Sequence, residues 1–185
     1  MMMGYTNVKF LDGGVDAWKQ AGYEIVGVPS GGAAMERAFV FENAHERERL
    51  TLLVSRLTDA QLSLPLNEDW TIAVILAHLA FWDQRSLCLM RKWKSSGVAA
   101  CPIDFDLTND SLLPLWQALS PRAAANLAVL SAEEIDRELE AAPSDLISAI
   151  EKLGDRFRLY RSEHRKLHLD QIEEALRCLD STDPT

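Results

Sequence analysis

The spacing of apolar positions changes character near residue 33. From there on, apolar residues recur at intervals of three and four, the signature of one helical face. Residues 35–57 form one long amphipathic segment. At about 100° per residue, Phe39, Leu50, Leu53, Val54 and Leu57 share a stripe. Asn43 and Glu46 project along it, and His45 falls on the opposite, solvent side. Thr58-Asp59-Ala60-Gln61 predicts a short helical turn and 65–69 a loop. Thr71 predicts the N-cap of a helix reaching about residue 93, closed by Ser95-Ser96-Gly97. A helix is predicted over 108–119. Another opens at Ser120-Pro121, since Ser at the cap with Pro at the first position is favoured, and runs to about 142. A shorter one spans 143–154, and a last long one spans about 155–179. Little period-two pattern follows Gly32. The pattern predicts an all-α fold, a bundle of four main helices.

The first 32 residues differ. Residues 7–12 have strand character, Gly13-Gly14 turns the chain, 15–21 suits a short helix and 23–26 a second strand. Pro29-Ser30-Gly31-Gly32 reads as a linker. The expected layout is a short β-α appendage over 1–32 and a helical domain over 33–185.

At 185 residues the chain has room for one domain with a substantial core. Nineteen Lys and Arg against 28 Asp and Glu give a net charge of −9, which argues against nucleic acid as partner. No apolar run approaches the ~20 residues that span a bilayer. The opening MMMGYTNVKF lacks the basic-then-apolar order of a signal peptide. Cys88, Cys101 and Cys178 are odd in number and form no CxxC, so they read as reduced thiols filling buried apolar space. The expectation is a cytoplasmic protein with no membrane partner.

Four histidines carry the candidate chemistry: His45, His78, His164 and His168. His164 and His168 stand at i, i+4 on the last helix, on the face that also carries Phe157, Tyr160, Ile172, Ala175 and Leu179. Two imidazoles in an apolar stripe need partners. A divalent metal is one, because neutral imidazole is a common nitrogen ligand. His78 flanks the stripe of the second long helix beside Thr71, Ile75 and Trp82. Alone it reads as a satisfied core residue. With the other two, on two facing helices, it reads as the third ligand of a site with an open position. Glu46 is a candidate general base or outer-shell partner, its plainer reading being a partly exposed carboxylate near a helix end. Arg161, one turn before His164, is a candidate for holding an anionic substrate group, its plainer reading being a snorkelling edge residue. Trp82 and Tyr160 are candidate pocket walls.

Three blocks carry a family resemblance: Glu46-Arg47-Glu48-Arg49-Leu50, then Trp70-Thr71 with Leu76-Ala77-His78-Leu79-Ala80-Phe81-Trp82-Asp83, then His164-Arg165-Lys166-Leu167-His168-Leu169-Asp170-Gln171-Ile172. Over roughly residues 35–180 the chain resembles the DinB/YfiT-like metalloenzymes. The resemblance implies an up-down-down-up four-helix bundle, often a homodimer. It also implies a divalent metal, commonly zinc or nickel, on the positions occupied here by His78, His164 and His168. Characterised members include thiol-cofactor-dependent S-transferases and a mycothiol-dependent maleylpyruvate isomerase. The implied function is a metal-dependent transferase acting on a small-molecule substrate through a metal-activated water or low-molecular-weight thiol. The alternative is a non-catalytic metal- or ligand-binding stress-response bundle. Residues 4–23 resemble the C-terminal end of a rhodanese domain. The nucleophilic cysteine of that family would precede this segment, and no cysteine occurs before Cys88. The resemblance therefore implies a fragment without an active site.

Overall fold

A computed structural model describes residues 37–154 and 158–180. The predicted β-α appendage and its rhodanese-like stretch lie outside the described residues. Among the described residues there are seven helices and no strand: α1 Ala38–Arg56, α2 Asp59–Leu62, α3 Ile72–Ser96, α4 Phe105–Gln117, α5 Pro121–Glu140, α6 Ser144–Leu153 and α7 Arg161–Asp180. The fold is all-α over this span.

Local chemistry sets most of the boundaries. Thr58 and Gln61 form a reciprocal capping box on α2. Thr71 Oγ1 accepts from Val74 N at 3.2 Å to start α3, and Ser120 with Pro121 starts α5. Gly154, at φ +78° and ψ +9°, supplies the left-handed cap that ends α6.

Two starts differ from expectation. Helix α4 begins at Phe105 rather than 108, because the Asp104 carboxylate accepts from Leu107 N at 2.9 Å and caps it earlier. Helix α7 begins at Arg161 rather than 155, and the cause is tertiary. Asn43, buried on α1, donates to the Leu159 carbonyl and accepts from Ser162 N, both at 2.8 Å. One amide from another helix thus takes up backbone groups at the entry to α7, a role normally filled by a local cap.

Helices α1 and α3 each pack on both α5 and α7. Side-chain pairs give the directions. Asn43 meets Ser162 while Arg49 meets Asp170 and Glu173, so α1 and α7 run parallel. Gln84 meets Ser131 while Lys94 meets Glu138, so α3 and α5 run parallel. Arg47 meets Asp136 while Arg122 reaches the carbonyls of Val54 and Leu57, so α1 and α5 are antiparallel. Asp83 meets Arg161 while His78 meets His164, so α3 and α7 are antiparallel.

The core has two apolar clusters with a charged layer between them. Leu50, Ala80, Ala132 and Leu169 belong to one cluster, and Phe39, Leu87, Leu139 and Leu159 to the other. Each long helix carries a buried polar residue of this layer: Asn43 on α1, Asp83 on α3, Asp136 on α5, and Arg161 and Arg165 on α7. Arg165 is fully buried and forks onto Asp136 with two 2.9 Å bonds. Its Nε and Nη2 also reach Asp83 at 3.2 and 3.0 Å. Arg161 Nε donates to the other oxygen of Asp83 at 2.7 Å. The Arg165 guanidinium further meets the carbonyls of Asn43 at 3.2 Å and Ala132 at 3.4 Å. A single side chain thereby bonds to the other three long helices.

Two expectations are corrected. Helix α3 is long and apolar enough to cross a bilayer, with an 18-residue window at mean hydropathy 1.3, although no such run was expected. That window is 78% buried inside the fold, where α3 serves as the core helix. The three cysteines form no disulfide among the described residues and are exposed rather than buried.

Removing one partner of a buried ion network leaves the remaining charges less compensated in the core, and without Arg165 only Arg47 would remain on Asp136 and Arg161 on Asp83. Arg165→Leu is therefore expected to lower unfolding free energy by about 3–5 kcal/mol, read from urea melts. Arg165→Lys, which keeps the charge but not the fork, is expected to fall in between.

Candidate metal centre

His78 comes from α3, and His164 and His168 come from successive turns of α7. One candidate ligand atom from each imidazole lies within 4.8 Å of the other two. The ring centroids are 4.8–5.0 Å apart. His78 Nε2 and His164 Nε2 approach to 2.9 Å. His168 Nδ1 donates to Gln171 Oε1 at 2.9 Å, which leaves the lone pair on Nε2. Trp70 and Trp116 meet the His78 ring edge-on at centroid distances of 5.3 and 5.2 Å.

Proton placement follows from the neighbours. Arg161 Nη2 lies 3.3 Å from His164 Nδ1, and a guanidinium only donates. Nδ1 of His164 therefore accepts, its proton stands on Nε2, and that proton is given to His78 Nε2. His78 then carries its own proton on Nδ1, a buried atom with no hydrogen-bond partner. In this arrangement one N–H and one lone pair face each other across the 2.9 Å gap.

Such a cluster fits a divalent cation. Zn–N bonds of about 2.0–2.1 Å place tetrahedral ligand nitrogens roughly 3.4 Å apart. The present separations need only small side-chain shifts to reach that value. His78, His164 and His168 would hold such an ion through Nε2, with His164 in its Nδ1–H form.

The electrostatics suit ligation. Burial pushes His78 down to about 3, with the neighbouring His168 and Arg161 adding to the effect. Burial, reinforced by the Arg161 guanidinium, pushes His164 below the ordinary imidazole value. Burial also lowers His168, against the opposing Gln171 bond. All three rings are neutral at pH 7, the form that binds metal.

Beside the cluster lies a cavity of about 440 Å³. Trp70, Trp82 and Phe105 give it aromatic surface, and Ile75 and Leu167 give it aliphatic surface. Asn67, Asn109 and Gln171 supply its side-chain amides. Trp82 was expected here and is here. Arg161 was expected at the pocket but does not line it. It is fully buried, pairing with Asp83 and touching His164 on the side away from His78. Tyr160 precedes α7 and packs edge-on against Phe39 at 6.0 Å, against the other apolar cluster. Glu46 faces a separate groove with Phe41, Ser162 and Lys166. Its carboxylate is engaged by Arg49 and His45, each at 3.3 Å. His45 is exposed, as expected.

Sequence reasoning missed Gln171, Asn109, Asn67, Phe105 and Leu167. Gln171 was within reach, since it stands one turn after His168 on the same helix. Asn109 and Phe105 arrive from α4, whose placement no local pattern announces.

The chain belongs to the DinB superfamily, whose family model matches residues 42–180. No curated protein and no solved structure matches it.

Because the folded rings resist protonation, the unfolded chain binds protons below its imidazole value near 6.5 that the native chain refuses. Metal-free protein therefore loses stability as pH falls through that value. Between pH 7 and 5 the share of His78 is about 2 kcal/mol. Urea melts of chelator-treated protein are expected to show this loss, and His78→Gln to reduce it.

Proposed function

We propose that His78, His164 and His168 hold a divalent cation, zinc or nickel, in a metal-dependent transferase of the DinB superfamily. The observation carrying this reading is the convergence of three neutral imidazoles, two buried and one half-buried, beside a cavity large enough for a small molecule. Such an ion, when bound, lowers the pKa of a coordinated water or thiol toward neutrality and so supplies a nucleophile. The chain's own residues do the rest. The histidines fix the position of that nucleophile, and Gln171 holds the His168 ring in its binding tautomer. Trp70, Trp82 and Phe105 orient the substrate and keep bulk water from one side.

The four long helices form an up-down-down-up bundle in this reading. The parallel α1–α7 and α3–α5 pairs and the antiparallel α1–α5 and α3–α7 pairs support it. Exposed thiols outside any disulfide suit a reducing, cytoplasmic setting.

The reading predicts about one divalent ion per chain by elemental analysis of protein purified without chelator, and loss of most of it in His164→Ala and His168→Ala. A metal-free preparation that also fails to take up zinc or nickel would contradict it.

A second reading has its own support. Among the described residues lining the cavity there is no carboxylate, lysine or tyrosine to move a proton, which suits a binding module without turnover. A screen of zinc- and nickel-loaded protein with low-molecular-weight thiols and electrophiles separates the two. Turnover that disappears in His78→Ala selects the transferase, and tight metal binding without turnover selects the module.

A further inference from the structure

We propose that the first two turns of α4 form a hinged flap over the cavity beside the histidines, pivoting at Pro114 and latched to Trp82. The inference does not depend on a bound metal, so its failure would leave the proposed function standing.

The two ends of α4 are held differently. At the C-terminal end Trp116 is buried, and its ring lies 5.7, 5.2 and 6.0 Å from those of Trp70, His78 and Phe81. Gln117 Nε2 donates to the Asp69 carbonyl at 3.0 Å. Toward the N-terminus the hold weakens, and between Trp93 and Trp116 no residue is buried. Leu112 and Leu113 are half-buried against the core. Ahead of them, the hydrogen bond and the ring contact that reach the rest of the described fold both end on Trp82. Its indole N–H donates to Asn109 Oδ1 at 3.1 Å, and its ring lies 5.1 Å from that of Phe105, inclined at 35°.

Pro114 stands between the loose part and the anchored part. Its nitrogen carries no hydrogen, so the helical bond to the Asp110 carbonyl is missing and the ladder is broken there. The pyrrolidine ring is exposed and fills no space in the core.

There is also space for the movement. Phe105 lines the cavity beside the histidines, and with Ile103 and Leu153 it lines a second one of about 590 Å³. Breaking one hydrogen bond and sliding one ring off Trp82 would carry Phe105 from the first cavity toward apolar surface in the second. The wall thus uncovered includes Ile75, which is buried on α3. A segment with so few buried contacts opens far more readily than the core.

Opening can be read from the rate at which a disulfide reagent labels a thiol placed by Ile75→Cys in the full chain, with Cys88→Ser, Cys101→Ser and Cys178→Ser removing the exposed thiols. Labelling is expected to be much faster than at Ala128→Cys, a control buried on α5 away from the cavity. Asn109→Ala removes the latch and is expected to speed labelling at position 75 about fivefold or more. Pro114→Ala restores the helical N–H and is expected to slow it by about threefold or more. Neither variant is expected to change labelling at position 128. The proposal is overturned if both variants leave the rate at 75 unchanged, or if position 128 responds alongside it, since the opening is then global unfolding. A second measurement leaves Ile75 in place: fluorine NMR of the chain labelled with 5-fluorotryptophan, with the Trp82 signal identified by its loss in Trp82→Phe. An open state is expected to broaden or split that signal, more so in Asn109→Ala and less in Pro114→Ala. A Trp82 signal equally sharp in wild type and both variants would overturn the proposal.

Discussion

Arg165 is the point on which the architecture turns. Its guanidinium bonds to carboxylates on α3 and α5 and to backbone carbonyls on α1 and α5, while its own Cα belongs to α7. Apolar packing alone would let four helices slide or rotate past one another at small cost. A buried fork that must meet Asp136 and Asp83 together does not allow this, because any slip leaves a charge unpaired in the core. In this chain the charged layer works as a register pin between two apolar clusters.

The metal centre depends on that pin. Asp83 stands little more than one turn after His78 on α3, and Arg161 and Arg165 flank His164 on α7. The antiparallel match of Asp83 with the two arginines therefore sets the match of His78 with His164 and His168. The same contact reaches into the electrostatics, since Arg161 bonds Asp83 through Nε and touches His164 through Nη2. Its charge helps keep that ring neutral. Architecture and ligand basicity thus share residues.

Much of this was legible in the chain. The helical stripes of α1, α3 and α5 rest on local periodicity and on Thr71, Ser120 and Pro121, which act within one turn. The i, i+4 pair on α7 and the inward position of His78 likewise follow from helical geometry. What escaped was decided across helices. Asn43 moved the start of α7 past Tyr160 and took that ring out of the expected pocket. Glu46, a candidate general base or outer-shell partner in the sequence, pairs instead with Arg49 one turn along its own helix. Asp83 and Arg165 both stood inside the blocks that carry the family resemblance. Their role appears only when two helices are set antiparallel at one register. The cysteines misled because small apolar character says nothing about which helix face meets solvent.

The central claim is that three imidazoles from two helices bind one ion. X-ray absorption on the zinc-loaded full chain tests it most directly. The account predicts a first shell containing three imidazole nitrogens at about 2.0–2.1 Å, reduced to two in His168→Ala. A shell containing sulfur at about 2.3 Å from the exposed cysteines, or one unchanged by that substitution, would contradict it.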